Sequence, residues 1–230
     1  MTSVSPFETV VVAELCSSGV QLLWPELGYE PHIVRHDLLD ACVADPTSLQ
    51  RRLAEQIPAA PAILAIACDR LPVAPVSTAH WESCLYEPLT RCFTLVRGLT
   101  PWMVDRTHGG HVIAFLARSA LLPDGVQGTA AVLGRSLLGL FESLRATLLL
   151  GRTRVTICFT AANESVEVFQ TRVSGALRSR PLYSLPASLE HPEIDDYFSA
   201  LLRELAAAPR GTPLPGVGPQ AKVYRLDGVI

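Results

Sequence analysis

The chain has 230 residues, of which 49% are hydrophobic, and a formal net charge of −3. A chain of this size and apolar content can bury one substantial core, and its charge provides neither a basic field for nucleic acid nor a polybasic patch for a membrane. The first residues lack a signal-peptide pattern, and no apolar run reaches the roughly 18 residues of a membrane span. We therefore expect one soluble, cytoplasmic domain over residues 1–230.

Short apolar segments alternate with helical ones along the chain. Strands are predicted at residues 9–13, 32–34, 62–67, 111–116 and 154–159. Helices are predicted at residues 47–56, 130–150 and 194–206, and Asp45 is placed to cap the first of them. Strands that alternate with helices are typical of βαβ units in a parallel sheet. The sequence thus predicts an α/β fold.

Several segments in the second half of the chain have a recognisable order and spacing. They are Trp81 and Leu89, Thr100-Pro101-Trp102-Met103, the run from Gly109 to Phe115, Gly125 and Gln127, residues 154–159, and Leu226-Asp227-Gly228. In this order they resemble the short-chain dehydrogenase/reductase superfamily, and within it the β-ketoacyl-ACP reductases, over roughly residues 8–228. The resemblance implies a Rossmann-like, doubly wound parallel sheet in three α/β/α layers.

The positions at which that family performs catalysis hold other residues. The resemblance implies a proton-donating tyrosine, a lysine four residues later, a serine upstream and a supporting asparagine. These positions fall on Ala130, Gly134, Ala117 and Pro88, and a shift by one residue only substitutes Ala131 and Arg135. None of these side chains provides a phenol, so no catalytic residue is predicted.

The cofactor-binding positions are also altered. The glycine-rich turn of a dinucleotide site is represented by Gly19 alone, while Leu15 and Gln21 introduce side chains where a pyrophosphate would lie. Glu14 adds a negative charge nearby, and Cys42 stands at the adenine-contacting position after the family's third strand, with Asp45 further on. The family's "NNAG" and "PG" motifs read Ala65-Ile66-Ala67-Cys68 and Thr160-Ala161. We therefore expect no nicotinamide cofactor.

Three of the six cysteines are predicted near the carboxyl ends of strands: Cys16, Cys42 and Cys68. Three thiols converging there could bind a soft metal ion. Small apolar residues filling a collapsed crevice explain them as well, and no CxxC pair is present. We favour the second interpretation and predict no metal.

The predicted helix over residues 130–150 contains thirteen Ala, Val, Leu or Phe residues. A helix that is apolar on most faces is buried on most faces. One face covers the sheet, and Leu137, Phe141, Leu144 and Leu148 are predicted to form an interface with a partner, since in the resembling family this helix and the one before it pair across a two-fold axis. The alternative is that neighbouring helices of the same chain bury all of it.

Three functional interpretations follow. The first is a non-catalytic subunit that pairs with an active short-chain reductase, or with a second copy, in bacterial polyketide or fatty-acid type biosynthesis by analogy. The second is an enzyme with cofactor-independent chemistry, such as dehydration, cyclisation or hydrolysis, that uses His111, Arg118 or Ser119. The third is a reductase with a displaced active site.

Overall fold

The computed structural model of the chain describes residues 9–16, 20, 23–68, 81–117, 120, 128–148, 152–160, 164–180 and 183–184. All of them belong to the unit Met1–Pro186. The predicted helix over residues 194–206 and the terminal Leu226-Asp227-Gly228 lie outside the described residues. The prediction of one domain over residues 1–230 therefore stays a prediction.

The described part of the chain contains a parallel sheet of six strands. The strands are β1 (Val10–Glu14), β2 (Pro31–Val34), β3 (Ile63–Cys68), β4 (His111–Ala117), β5 (Arg154–Thr160) and β6 (Tyr183–Ser184). Their order in the sheet is β2-β1-β3-β4-β5-β6, so the direction in which successive strands are added reverses between β1 and β3. The predicted doubly wound, Rossmann-like α/β fold is confirmed.

Helices cover both faces of this sheet. They are α1 (Leu23–Glu26), α2 (His36–Asp40), α3 (Thr47–Ala54), α4 (Glu87–Val104), α5 (Gly128–Leu148) and α6 (Val166–Ser179), with a π-helical turn Glu82–Tyr86 leading into α4. Trp24 of α1 and Val173 of α6 share an apolar cluster with Ile113 and Phe115 of β4. Helix α4 packs against both α3 and α5. The crossovers through α1 and α4 run in opposite directions across the sheet, so right-handed connections place these helices on opposite faces.

The strand that the resemblance implied before Cys42 is not formed, and this expectation was wrong. The chain instead forms the short helix α2 and then a turn, in which the Cys42 amide bonds the Leu39 carbonyl. Asp40 fixes this helix against α4 through two hydrogen bonds from Arg91, of 2.7 and 2.9 Å. Residues 35–62 are all described and contain no strand, so within the described residues β2 has no neighbour on its outer side.

The structure places the N-cap of α3 at Pro46, one residue after the predicted Asp45, but the Asp45 side chain still bonds the first turn. The Asp45 carboxylate accepts hydrogen bonds from the Thr47 amide at 3.2 Å and the Thr47 hydroxyl at 2.5 Å. These bonds lower the pKa of Asp45, with the hydroxyl bond as the main cause. The side chain thus satisfies an amide that the first helical turn leaves unpaired.

Within the described residues, no helix is long and apolar enough to cross a membrane.

A glycine in α4 allows the close packing of α4 on α3. A Cβ at Gly98 would lie 2.5 Å from the Pro46 carbonyl oxygen and 3.0 Å from the Leu49 Cβ. The carbonyl belongs to backbone at the first turn of α3, so it cannot give way without disturbing that turn. Helix α5 supplies a contrast, because a Cβ at Gly139 would meet nothing within 4 Å.

We expect Gly98→Ala to lower the free energy of unfolding by about 1–3 kcal/mol, because the new methyl group overpacks the helix contact. The matched control Gly139→Ala should raise it by roughly 0.5–1 kcal/mol through helix propensity. Urea unfolding of both variants measures the difference. Equal stabilisation by both would show that the α3–α4 contact is looser than the structure indicates.

Candidate functional site

The candidate site is the crevice at the carboxyl ends of β1 and β3. In open α/β sheets, ligands bind where the strand order reverses, outside these ends. The described residues around it are the end of β1 with Leu15 and Cys16, Cys68 of β3, Ala117 of β4 and Thr160 of β5. Each of these positions was singled out by the sequence.

The backbone at the end of β1 is committed to the sheet. The amides of Leu15 and Cys16 both donate to the Ala67 carbonyl, at 2.9 and 3.4 Å. The Leu15 side chain is buried, with 3% of its surface exposed. The two amides are therefore bonded to β3 rather than directed to an anion, and Leu15 packs in the interior. Gly19 and Gln21 lie outside the described residues.

Two of the three cysteines meet in this crevice. The Cys16 and Cys68 sulfur atoms lie 3.2 Å apart in buried surroundings. Cys42 is also buried, in the turn after α2. Among the described residues, no group of three or more His, Cys, Asp or Glu side chains could hold a metal ion.

Helix α5 closes on the crevice at the position where the family carries its lysine. A Cβ at Gly134 would lie 2.9 Å from the Ala120 Cβ and 3.0 Å from the Ala120 Cα. Ala120 is fully buried, so the helix backbone packs directly on the segment that follows β4. The glycine is explained by this packing, and a lysine side chain could not leave the helix here without displacing Ala120.

The other family positions carry no reactive group. Ala117 is the half-buried last residue of β4, and Pro88 is buried in the first turn of α4. Ala130 lies in α5, but its side chain is outside the described part. For the shifted alignment, Ala131 is half-buried and Arg135 is exposed. The phenol of Tyr183, on the edge strand β6, donates to Glu142 of α5 at 2.6 Å, and burial raises its pKa to about 12.

An ion pair borders the crevice beside Cys16. Arg91 binds Asp40 with two hydrogen bonds and also contacts Glu87 at 3.3 Å. The hydrogen bond from Arg91 is the main cause of the lowered pKa of Asp40, and the same bond is the main cause of the raised pKa of Arg91. Electrostatic interactions with Asp40, Glu87 and Cys16 add to the raised pKa of Arg91. Arg91 thus places a positive charge near this thiol.

A second ion pair lies beyond the end of β5 and was not predicted. Arg172 of α6 forms a bidentate pair with Glu164, at 2.8 and 2.7 Å. It also donates to the Ser184 carbonyl at 2.9 Å and the Phe159 carbonyl at 2.8 Å. This network joins α6 to β5 and β6. Its partners are distant in sequence and share no motif, so no local signal could have found it.

The predicted apolar interface is corrected by the structure. Leu137 and Phe141 are fully buried, Leu148 is 4% exposed, and only Leu144 keeps partial exposure. These residues face the interior of their own chain, because α5 must cover β4 and β5 while also contacting α4. The alternative interpretation, burial by the same chain, applies to three of the four. A charge at Phe141 would therefore disrupt folding rather than dissociate a complex.

The prediction that His111 lies near the crevice is also wrong. His111 is the first residue of β4, so it stands at the amino edge of the sheet, about 20 Å of strand away from Ala117. Its Nε2 is 2.8 Å from the Thr156 hydroxyl, and the imidazole is buried. Arg118 and Ser119 lie outside the described residues. The cofactor-independent mechanism therefore loses its candidate base.

His111 lines a small cavity at this amino edge. The cavity has a volume of about 150 Å³ and is lined by Tyr29, Ala62, Ile63, Arg106, His108, Gly109, His111, Leu177 and Arg180. Arg106 is held by the carbonyls of Gly109 and Ala60. Burial, and secondarily the charge of Arg180, lowers the pKa of His111 to about 3. The imidazole is therefore neutral near pH 7.

We expect the pKa of His111 to make folding sensitive to acid. Its pKa in the folded chain lies below the roughly 6.5 of an unfolded histidine. The stability that depends on a neutral imidazole is therefore fully present above about pH 6.5, and it is lost progressively as the pH falls towards 3. Between about pH 6 and 4 the free energy of unfolding should fall by roughly 1 kcal/mol per pH unit more than in His111→Gln, which cannot titrate. Urea unfolding across this pH range measures the difference. Parallel pH profiles of the two proteins would contradict the assignment.

Comparison with known proteins identifies the fold. No protein-family model and no curated protein matches the chain. Among solved structures, the apo form of LigD from Sphingobium sp. strain SYK-6 is 14% identical, with a TM-score of 0.67 over 88% of this chain and 99% of that one. Apo LigO from the same strain is 18% identical, with a TM-score of 0.67 over 88% of this chain and 91% of that one.

A third structure carries the family's name. It is a protein classed as a short-chain dehydrogenase from Novosphingobium aromaticivorans, 20% identical, with a TM-score of 0.62 over 91% of both chains. At these identities the likeness establishes architecture rather than activity. The chain therefore has the Rossmann-like fold of the short-chain dehydrogenases.

Proposed function

We propose that the chain is a non-catalytic subunit with a short-chain dehydrogenase fold, which pairs with an active short-chain ketoreductase and stabilises it or shapes its substrate site. By analogy with the β-ketoacyl-ACP reductases that the sequence resembles, the setting is bacterial polyketide or fatty-acid type biosynthesis.

The contact of Gly134 with Ala120 carries the first half of this proposal. A short-chain reductase needs room beside this helix for a lysine and a ribose, and here a Cβ alone would lie 2.9 Å from the Ala120 Cβ. At the opposite side of the crevice, the amides of Leu15 and Cys16 are bonded to Ala67. Both observations support a crevice that does not bind a dinucleotide.

The exposed face of α4 supports the second half. Tyr86, at the end of the π-helical turn, is 63% exposed, and Phe93, two helical turns further on, is 49% exposed. Val132 of the neighbouring helix α5 is 43% exposed. Large apolar side chains grouped on adjacent helices are typical of a protein-binding surface. We call Tyr86, Phe93 and Val132 the α4–α5 face.

This face replaces the interface that the sequence predicted. In the resembling family the same two helices pair across a two-fold axis, and here α4 rather than α5 supplies the aromatic residues. Arg97 lies over the Phe93 ring at 6.0 Å and offers a positive charge at its rim. Aromatic residues next to arginine are common at the energetically important centre of interfaces.

The two other functions have less support. Cofactor-independent acid–base chemistry would need a base in the crevice, and the base that the sequence suggested, His111, lies at the opposite edge of the sheet. A divergent reductase would need a new route for the cofactor. The following experiments separate these functions from the proposed one.

We expect no saturable binding of NADH or NADPH up to millimolar concentrations, because Gly134 packs on Ala120 and the amides near Leu15 are already bonded. Calorimetry, together with the fluorescence of the reduced cofactor, measures binding. An active short-chain reductase assayed in parallel is the positive control. Saturable binding would favour the divergent reductase and overturn the proposal.

We expect the chain to form a mixed complex when it is co-expressed with an active short-chain ketoreductase, and Phe93→Glu to weaken that complex at least tenfold. Burial of an aromatic side chain contributes roughly 1.5–3 kcal/mol, and a buried unpaired charge opposes association further. Size-exclusion chromatography with light scattering and a titration of the two proteins measure the effect. The matched control is Val168→Glu on α6, whose valine is 51% exposed.

The active partner's turnover provides the second measurement. Phe93→Glu should lower the activity or yield of the partner while the chain itself keeps its unfolding midpoint. A pure homodimer that dissociates on Phe93→Glu would confirm the face and replace the active partner by a second copy. A monomer unaffected by either substitution would reject the face.

A further inference from the structure

Cys16 and Cys68 form a close pair of thiols in the crevice. Their sulfur atoms are 3.2 Å apart, while the residues themselves are 52 positions apart in sequence. Neither the fold nor the proposed subunit function requires sulfur at these positions. A contact of this kind is either a weak S–H···S hydrogen bond or the reduced form of a disulfide.

The backbone geometry suits a disulfide. Cys68 is the last residue of β3, and Cys16 follows the end of β1, which pairs with β3 in parallel register up to Glu14 and Ala67. The Cys16 amide still bonds the Ala67 carbonyl, so the two backbones remain adjacent. Neighbouring strands are about 4.8 Å apart, and a disulfide needs Cα atoms roughly 4.4–6.8 Å apart. The sulfur atoms have to approach by only about 1 Å to reach the bond length of about 2.05 Å.

The two thiols differ in access and in charge environment. Cys16 keeps 9% of its surface exposed, whereas Cys68 has none. The Arg91 guanidinium interacts electrostatically with Cys16. Because only Cys16 is accessible, it is the thiol that meets an oxidant first. Burial raises the pKa of Cys92 and raises that of Cys158 to about 12, so both stay protonated.

We propose that Cys16 and Cys68 are a redox-active dithiol, a modification site at which a hydroperoxide forms an intramolecular disulfide. The Cys16 thiolate attacks the peroxide and breaks its O–O bond, which gives a sulfenic acid and releases water or an alcohol after protonation. The Cys68 sulfur then attacks the Cys16 sulfur, and the sulfenic oxygen leaves as water with the Cys68 proton. Two thiols lose two electrons, and the peroxide gains them.

The bond would connect the ends of β1 and β3 where the strand order reverses. It closes a loop of about 52 residues that contains β2, α2 and α3. Such a link lowers the conformational entropy of the unfolded chain more than that of the folded chain, so the oxidised protein is the more stable form. The proposal does not depend on the subunit function, because it concerns only the chain's own thiols.

Hydrogen peroxide added to the reduced, full-length chain tests the site. Free thiols counted under denaturing conditions should drop by two from the six in the sequence, and the intact mass should fall by two hydrogens. Tryptic mapping should find the peptides of Cys16 and Cys68 joined, with reversal by dithiothreitol. The melting temperature should rise by about 5–10 °C on oxidation.

Single-cysteine variants separate the pair from general oxidation. Cys16→Ala and Cys68→Ala should each abolish the loss of two hydrogens, and Cys68→Ala should leave Cys16 as a sulfenic acid that dimedone traps. Cys158→Ala, which removes a buried thiol in β5, should still form the bond. Six thiols that survive peroxide would reduce the contact to a hydrogen bond, and a link between other cysteines would overturn the assignment.

Discussion

Both faces of the parallel sheet have to be covered by apolar side chains, and most of the structure follows from that requirement. Strand β3 is buried along its whole length, and six of the seven residues of β4 are buried. Helix α5 supplies much of the cover on one face with Leu137 and Phe141. The surface of α5 that the sheet needs in this way is not available to a partner, whereas the exposed aromatic residues Tyr86 and Phe93 lie just before α4 and within it.

Close cover brings its own constraint at the crevice. To lie on the segment after β4, the backbone of α5 approaches Ala120 so closely that only glycine fits at position 134. An active short-chain reductase uses the corresponding helix position for a lysine that reaches into an open cleft. One position cannot serve both purposes, so the close packing of Gly134 on Ala120 supports the proposed loss of the nicotinamide site.

The sequence predicted the sheet well because buried parallel strands are continuous apolar runs between turn residues. The strands predicted at residues 111–116 and 154–159 are observed as His111–Ala117 and Arg154–Thr160. Periodicity could not say what covers an apolar helix, so the α5 interface was wrong. The incorrect prediction of a strand before Cys42 came from the family resemblance and not from the residues themselves. The wrong placement of His111 near the crevice was avoidable, since the first residue of a parallel strand lies at the amino edge of the sheet.

The convergence of Cys16 and Cys68 was predictable for the same geometric reason, because the carboxyl ends of parallel strands meet at one edge. The backbone at this edge explains how the two sulfur atoms come together. The amides of Leu15 and Cys16 are both bonded to the Ala67 carbonyl, which keeps the end of β1 against the end of β3. This bonding brings the Cys16 sulfur against that of Cys68, so the same backbone contact that continues the sheet also assembles the thiol pair.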